Sequence, residues 1–258
     1  MSEEESSYLL RHRRKLKLGR WRALYLLFIE RMDSRSLAEV GSGSPEFLAL
    51  APAMIAEKHA IDVGTEFQAD FARFGAVFHR CDLDQGPAPH LENIEIAVCS
   101  DVFEHLRDPL RTLKMIGDLL APEGVLFGHV PNEYLLHNVL PIMRGLREGV
   151  LYHDGFNEWE NPHLRRFTDI GFHRFLQTQF IYNLKITEFY YKKWPRRLTR
   201  LGIVPPYFME PGPTYASTNS AVVYEQLCAI KKELLRDRKK TRNLLLELYR
   251  QGDELGAR

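Results

Sequence analysis

The sequence predicts a doubly wound α/β fold, because short apolar runs alternate with helical stretches and the first run ends in a glycine turn. Residues 37–40, 59–63, 76–79, 94–99 and 124–130 read as buried strands. Helical patterns fall between them at 45–57, 67–74 and 109–120. Such alternation implies a mostly parallel sheet covered on both faces. A helix over 169–179 and strands over 184–191 and 219–224 bring the sheet to seven strands. Pro205, Pro206, Pro211 and Pro213 require a loop between the last two.

Three regions follow from this rhythm. Residues 1–33 form a helical arm, basic at Arg11, Arg13, Arg14, Lys15, Lys17, Arg20 and Arg22 and then apolar. Residues 34–225 form one domain, with an irregular insertion at 133–168, and 226–258 form a C-terminal helix. In that helix Leu227, Ile230, Leu234, Leu244, Leu248 and Leu255 follow a seven-residue repeat that Asp237 and Thr241 interrupt. It either folds back on the domain or makes a short homodimer contact.

Composition narrows the function. Lys plus Arg number 35 against 34 Asp plus Glu, a balance that argues against a general nucleic-acid binder. Cys81, Cys99 and Cys228 have neither metal-ligand nor disulfide spacing, which fits a reducing, cytoplasmic setting. No run reaches the roughly 20 apolar residues of a membrane span. The acidic opening Glu3, Glu4, Glu5 is unlike a secretory signal. The N-terminal arm has three open placements: across a ligand mouth, against a second subunit, or peripherally on the anionic inner face of a membrane.

The turn Glu39-Val40-Gly41-Ser42-Gly43-Ser44-Pro45-Glu46 lets the backbone pass close to a ligand. Ser44 and Pro45 read as an N-cap and first helical position. A dinucleotide site would want glycine where Glu46 stands, which weakens a nucleotide-dependent oxidoreductase reading. Asp62, 23 residues after Glu39, ends the second strand, where a carboxylate can accept from two ribose hydroxyls. Asp82 and Leu83 follow the third strand, where an adenine amino group and ring face could be read. The fourth strand runs into Ser100-Asp101-Val102-Phe103-Glu104-His105-Leu106, then Arg107-Asp108-Pro109. The fifth follows Leu120-Ala121-Pro122-Glu123-Gly124-Val125-Leu126 and closes with Val130-Pro131-Asn132.

These segments, in register over residues 37–132, resemble class I S-adenosylmethionine-dependent methyltransferases of the ubiquinone-biosynthesis type. His163-Leu164-Arg165-Arg166-Phe167-Thr168 continues the likeness; Pro45 departs from it, standing where the family usually has a third glycine. The resemblance implies a Rossmann-like sheet and S-adenosylmethionine as cofactor. It implies Glu39, Gly41 and Gly43 around the methionine portion and Asp62 on the ribose. Asp82 and Leu83 would flank the adenine, and Ser100 would line the donor pocket.

Methyl transfer to a hydroxyl also wants a base within hydrogen-bond reach. His105, directly after strand four, is the candidate, with packing on the cofactor as its other reading. His153 and His163 are alternatives in the aromatic insertion, near Tyr152, Phe156, Trp159 and Phe167. No histidine–acid spacing matches a helix-borne metal pair, so no metal site is expected, although a magnesium requirement stays open. The polar and aromatic set Tyr152, His153, Asp154, Asn157 and Trp159 favours a glycan or other small-molecule hydroxyl as acceptor. A methyltransferase-like scaffold without turnover is the non-enzymatic alternative.

Overall fold

The computed structural model describes residue 18 and residues 20–132, 163–186 and 212–256. Within these residues one seven-stranded sheet is built from β1 (Ser36–Val40), β2 (Glu57–Asp62), β3 (Ala76–Arg80), β4 (Ile94–Ser100), β5 (Leu120–His129), β6 (Tyr182–Lys185) and β7 (Thr214–Thr218). The spatial order is β3-β2-β1-β4-β5-β7-β6. β1 to β5 run parallel, and β7 lies antiparallel between β5 and β6. The connections reverse direction between β1 and β4, so their carboxyl ends open the crevice in which such sheets bind ligands.

The helices are α1 (Arg20–Ile29), α2 (Glu46–Ala49), α3 (Gln68–Arg73), α4 (Pro109–Leu119), α5 (Asp169–Leu176), α6 (Ala221–Arg236) and α7 (Arg238–Gly256). Local chemistry starts several of them. Asp108 accepts the Arg111 N–H at 3.2 Å, with Pro109 at the first helical position of α4. Thr168 accepts the Gly171 N–H at 3.0 Å to cap α5.

Four expectations are corrected in detail. The helix expected over 45–57 is only the single turn of α2, because Pro52 lacks an N–H and biases Ala51 out of the helical region. The strand expected over 219–224 is displaced to β7. Ser220 accepts the Val223 N–H at 3.3 Å and starts α6, so Ala221, Val222 and Val223 are helical despite their strand-like composition. Of the strand expected over 184–191, residues up to 185 belong to β6; residues 187–191 lie outside the described residues. The C-terminal tail is two helices rather than one. Asp237 leaves the helical region at φ −116° and its carboxylate caps the Lys240 N–H at 3.0 Å. Thr241 donates to the Leu234 carbonyl at 2.8 Å, so the two residues that interrupt the leucine repeat make the corner.

Alternation along the strands sends side chains into two cores. One contains Leu37, Ala60, Val98, Val125 and Phe127 with α1, α6 and α7. The other contains Val40, Ile61, Cys99 and Leu126 with α4 and α5. Residues 23–29 of α1 are all buried, and Tyr25 and Phe28 meet Phe127 at ring distances of 5.1 and 5.9 Å. The apolar part of the N-terminal segment is therefore core. Phe28→Ala should cost about 3–5 kcal/mol, read as a lower urea midpoint at unchanged slope; a loss within 0.5 kcal/mol of zero, typical of surface positions, would show that α1 only rests on the sheet.

Candidate active site

Three side chains of α1 reach the carboxyl ends of β1, β4 and β5. Trp21 stacks on His129 at 4.3 Å, and Ser100 donates to the Tyr25 hydroxyl oxygen at 3.4 Å. Arg22 brings Nε to 3.2 Å from Glu39 Oε1 and Nη2 to 3.4 Å from the Ser42 carbonyl.

Glu39, on β1, is 1% exposed, and neither carboxylate oxygen has a well-aligned hydrogen bond. Arg22 is close enough to pair charge with it but approaches off-axis. Burial wins over that attraction and pushes the Glu39 carboxyl up to about 8, with Glu46 and Asp62 adding to the rise. A buried carboxylate in this condition calls for a second, better-aligned donor.

The glycine turn holds its shape through left-handed backbone at Gly41 (φ +68°) and Gly43 (φ +59°). A Cβ at Gly41 would collide with the Val102 side chain, which locks the turn against the loop after β4. A Cβ at Gly43 would meet no protein atom within 4 Å, so that side of the turn faces open space. Asp62 closes the turn from β2: Oδ2 accepts the Gly43 N–H at 2.9 Å and Oδ1 the Gly64 N–H at 2.8 Å.

After β3, Asp82 Oδ1 accepts the N–H groups of Asp84 and Gln85 at 2.9 and 3.2 Å. The Leu83 carbonyl accepts from Thr112 at 3.1 Å. Asp84 then binds the loop after β4, accepting the Arg107 and Asp108 N–H groups at 2.8 and 3.0 Å. Arg111 donates to the Asp84 and Gly86 carbonyls, completing the clasp.

Beyond β4, the turn Phe103–His105 carries Glu104, almost fully buried, and His105, about one-third exposed. His105 meets His163 edge to face at 4.7 Å, and its Nε2 lies 3.8 Å from Glu104 Oε1. Arg165 secures this neighbour through its N–H to the Glu104 carbonyl at 3.0 Å and its guanidinium to the Leu106 and Arg107 carbonyls. Among the described residues, Glu104, His105 and His163 form the one group of three or more such side chains whose ligand atoms, all within 4.8 Å of one another, could hold a metal ion. The expectation of no metal considered pairs on one helix, whereas His163 comes from a distant segment.

The structure thus gathers Glu39, Gly41, Gly43 and Asp62 around one turn and sets Asp82, Leu83 and Ser100 at the neighbouring strand ends. His105 and His163 stand together; His153 and the aromatic set at 152–159 lie outside the described residues. Sequence reasoning missed Arg22 as a site residue, reading it with the basic arm. The available signal was an arginine breaking an apolar run. It also missed Asp84, whose role as a clasp has no local sequence mark.

The open crevice, the glycine turn and the carboxylates on β1, on β2 and just after β3 fit adenosine bearing a charged amino acid. Glu39 would answer the α-ammonium and Arg22 the carboxylate of a methionine moiety, with Asp62 against the ribose. A family model described as a methyltransferase domain matches residues 10–182, and the chain belongs to that family. It is a class I S-adenosylmethionine-dependent methyltransferase. No curated protein matches it. Among solved structures it resembles a chain of the complex between the Haloferax volcanii Trm112 methyltransferase activator and the putative methyltransferase. That match has 16% identity, a TM-score of 0.52 and coverage of 83% of this chain and 96% of that one. A putative methyltransferase from Bacillus halodurans matches at 12% identity and TM-score 0.47, covering 76% and 95%.

Two outcomes test the site. Glu39 is raised from 4.5 to about 8, so the free protein keeps a proton there that an ammonium partner would displace. The folded state gains relative stability from this group below about 4.5 and loses it as pH rises through about 8. Cofactor binding below pH 8 should therefore release a proton and tighten as pH rises towards 8. Calorimetry in buffers of different ionisation heat reads this, and Glu39→Gln should abolish the release; an equal release in that variant would put the proton elsewhere. Asp62→Ala should keep the fold and weaken cofactor binding by about 1.5–3 kcal/mol for each charged hydrogen bond lost. Unchanged affinity by titration would leave Asp62 as a clip for the turn alone.

Proposed function

We propose that this methyltransferase moves the methyl group of S-adenosylmethionine onto a hydroxyl of a sugar or another small molecule. The observation that carries the reading is the set of proton-accepting groups at the end of β4, beside the proposed donor pocket: His105 and His163, with Glu104 behind them. A hydroxyl becomes a competent nucleophile as its proton leaves, so such groups belong beside the donor. The sequence likeness to ubiquinone-type enzymes, which act on small molecules, points the same way.

In this reading Glu39 and Arg22 hold the amino-acid end, Asp62 the ribose, Asp82 and Leu83 the adenine, and Ser100 lines the donor pocket. The cofactor supplies a methyl carbon already activated by the sulfonium. The chain's part is to align the acceptor, exclude water and take the proton; proximity alone can contribute roughly 7–11 kcal/mol. Residues 34–225, together with Arg22 of α1, would be the catalytic unit, with the insertion at 133–168 selecting the acceptor. Cytoplasmic residence fits the free thiols of Cys81, Cys99 and Cys228.

A screen of sugars, glycosides and phenols with methyl-labelled cofactor tests the acceptor class; label appearing only on nitrogen or carbon would refute it. Among the imidazoles, His105→Ala is the first variant to make. If His105 handles the proton, single-turnover rate should fall by about 10²–10⁴-fold at unchanged cofactor affinity. If it packs on the cofactor, affinity should fall while the rate at saturation stays near normal.

A further inference from the structure

Glu104, His105 and His163 bring one carboxylate and two imidazoles together beyond β4, with a ligand atom from each within 4.8 Å of the other two. His105 Nε2 and Glu104 Oε1 are 3.8 Å apart, too far for a hydrogen bond. That spacing suits a shared ion better. A tetrahedral cation with bonds of about 2.0–2.1 Å holds neighbouring ligand atoms about 3.3–3.4 Å apart. The observed set is somewhat wider, and the two rings, tilted 74° to each other, can rotate about their side-chain torsions to close it.

The three ligands stand on two segments that are already clamped together. The Arg165 N–H donates to the Glu104 carbonyl at 3.0 Å, and the Arg165 guanidinium reaches the Leu106 and Arg107 carbonyls. The His105 N–H donates to the Val102 carbonyl at 2.9 Å, and Val102 abuts the glycine turn. These contacts hold the spacing of the turn at 103–105 and the segment entering α5 without drawing on the ligand side chains. Exposure is graded across the set: Glu104 is buried, His105 about one-third exposed and His163 half-buried. An ion is thus gripped from inside by the carboxylate and reached from solvent past the imidazoles, which supplies an entry path.

The donor chemistry narrows the ion. Two imidazole nitrogens and one carboxylate suit zinc, and also divalent cobalt, nickel or iron, in sites that keep a position open for water or substrate. Mg²⁺ and Ca²⁺ favour ligand sets made of oxygen. We infer that Glu104, His105 and His163 form a site for a divalent transition-metal ion, with an open position at the β4 end of the crevice. For what the ion does there, the inference rests on the hydroxyl-transfer reading. The open position takes the acceptor oxygen, and the bound cation makes the hydroxyl proton easier to lose to water. That oxygen bonds to the methyl carbon as the carbon–sulfur bond breaks and its electron pair returns to sulfur. His105 and His163 then act on the acceptor through the ion.

Binding is read on the full chain without methyl donor or acceptor, so it stands or falls apart from the hydroxyl-transfer reading. Chelator-stripped protein is titrated with Co²⁺, followed by its visible absorption and by NMR. A single equivalent should bind, with paramagnetic shifts on the ring protons of His105 and His163. Zn²⁺ should displace it, and Mg²⁺ at the same concentration should not. Losing a group that only hydrogen-bonds to a metal ligand costs about 10–100-fold in affinity, so His105→Ala and His163→Ala should each weaken Co²⁺ binding at least about 10-fold. Glu104→Gln should do the same, and the shifts in the unaltered chain decide the site even where that variant does not fold. No bound Co²⁺, shifts confined to other histidines, displacement by Mg²⁺, or equal affinity after both histidine changes would each overturn the site.

Discussion

A carboxylate buried on the first strand sets the terms for much of this molecule. Glu39 is shut away from water, and an uncompensated charge there would cost several kcal/mol. Arg22 can approach it only if α1 lies across the ends of β1, β4 and β5. That placement in turn drives residues 23–29 into the core against Phe127 and puts Trp21 over His129. The placement of α1 thus serves both the apolar packing and the floor of the crevice. The arginine meets the demand incompletely, which is the condition expected of a group that still has a ligand to bind.

The crevice is also held from its far side. Asp62 ties the glycine turn to β2, while Asp84 and Arg111 tie the loop after β3 to the loop after β4. These clasps use backbone N–H and carbonyl groups, so the loop positions depend on few particular side chains. The carboxylates left facing the crevice are therefore set on rigid supports, as alignment of two reactants requires.

Much of this was legible in the sequence because its signals are local. Short apolar runs marked the parallel strands, and Gly41, Gly43, Asp62, Asp82 and Ser100 fell at or just past strand ends, where the structure has them. The misplacements have equally local causes. Ala221, Val222 and Val223 look like a strand, and only the Ser220 cap and the packing of Val223 make them helical. Arg22 and Asp84 were illegible for a different reason. They join residues 17 and 23 positions apart, and no periodicity records a partner at that distance.

The way α7 closes on α1 carries a consequence for biosynthesis. Leu18 sits so near Gly252 that a side chain there would strike it, and the two ends of the described chain pack together. During synthesis the apolar helix α1 must wait for α7 until some 200 further residues are made. At 5–20 residues per second that is roughly 10–40 s. Over this interval the part of α1 that α7 covers is open to chaperones or to other nascent chains.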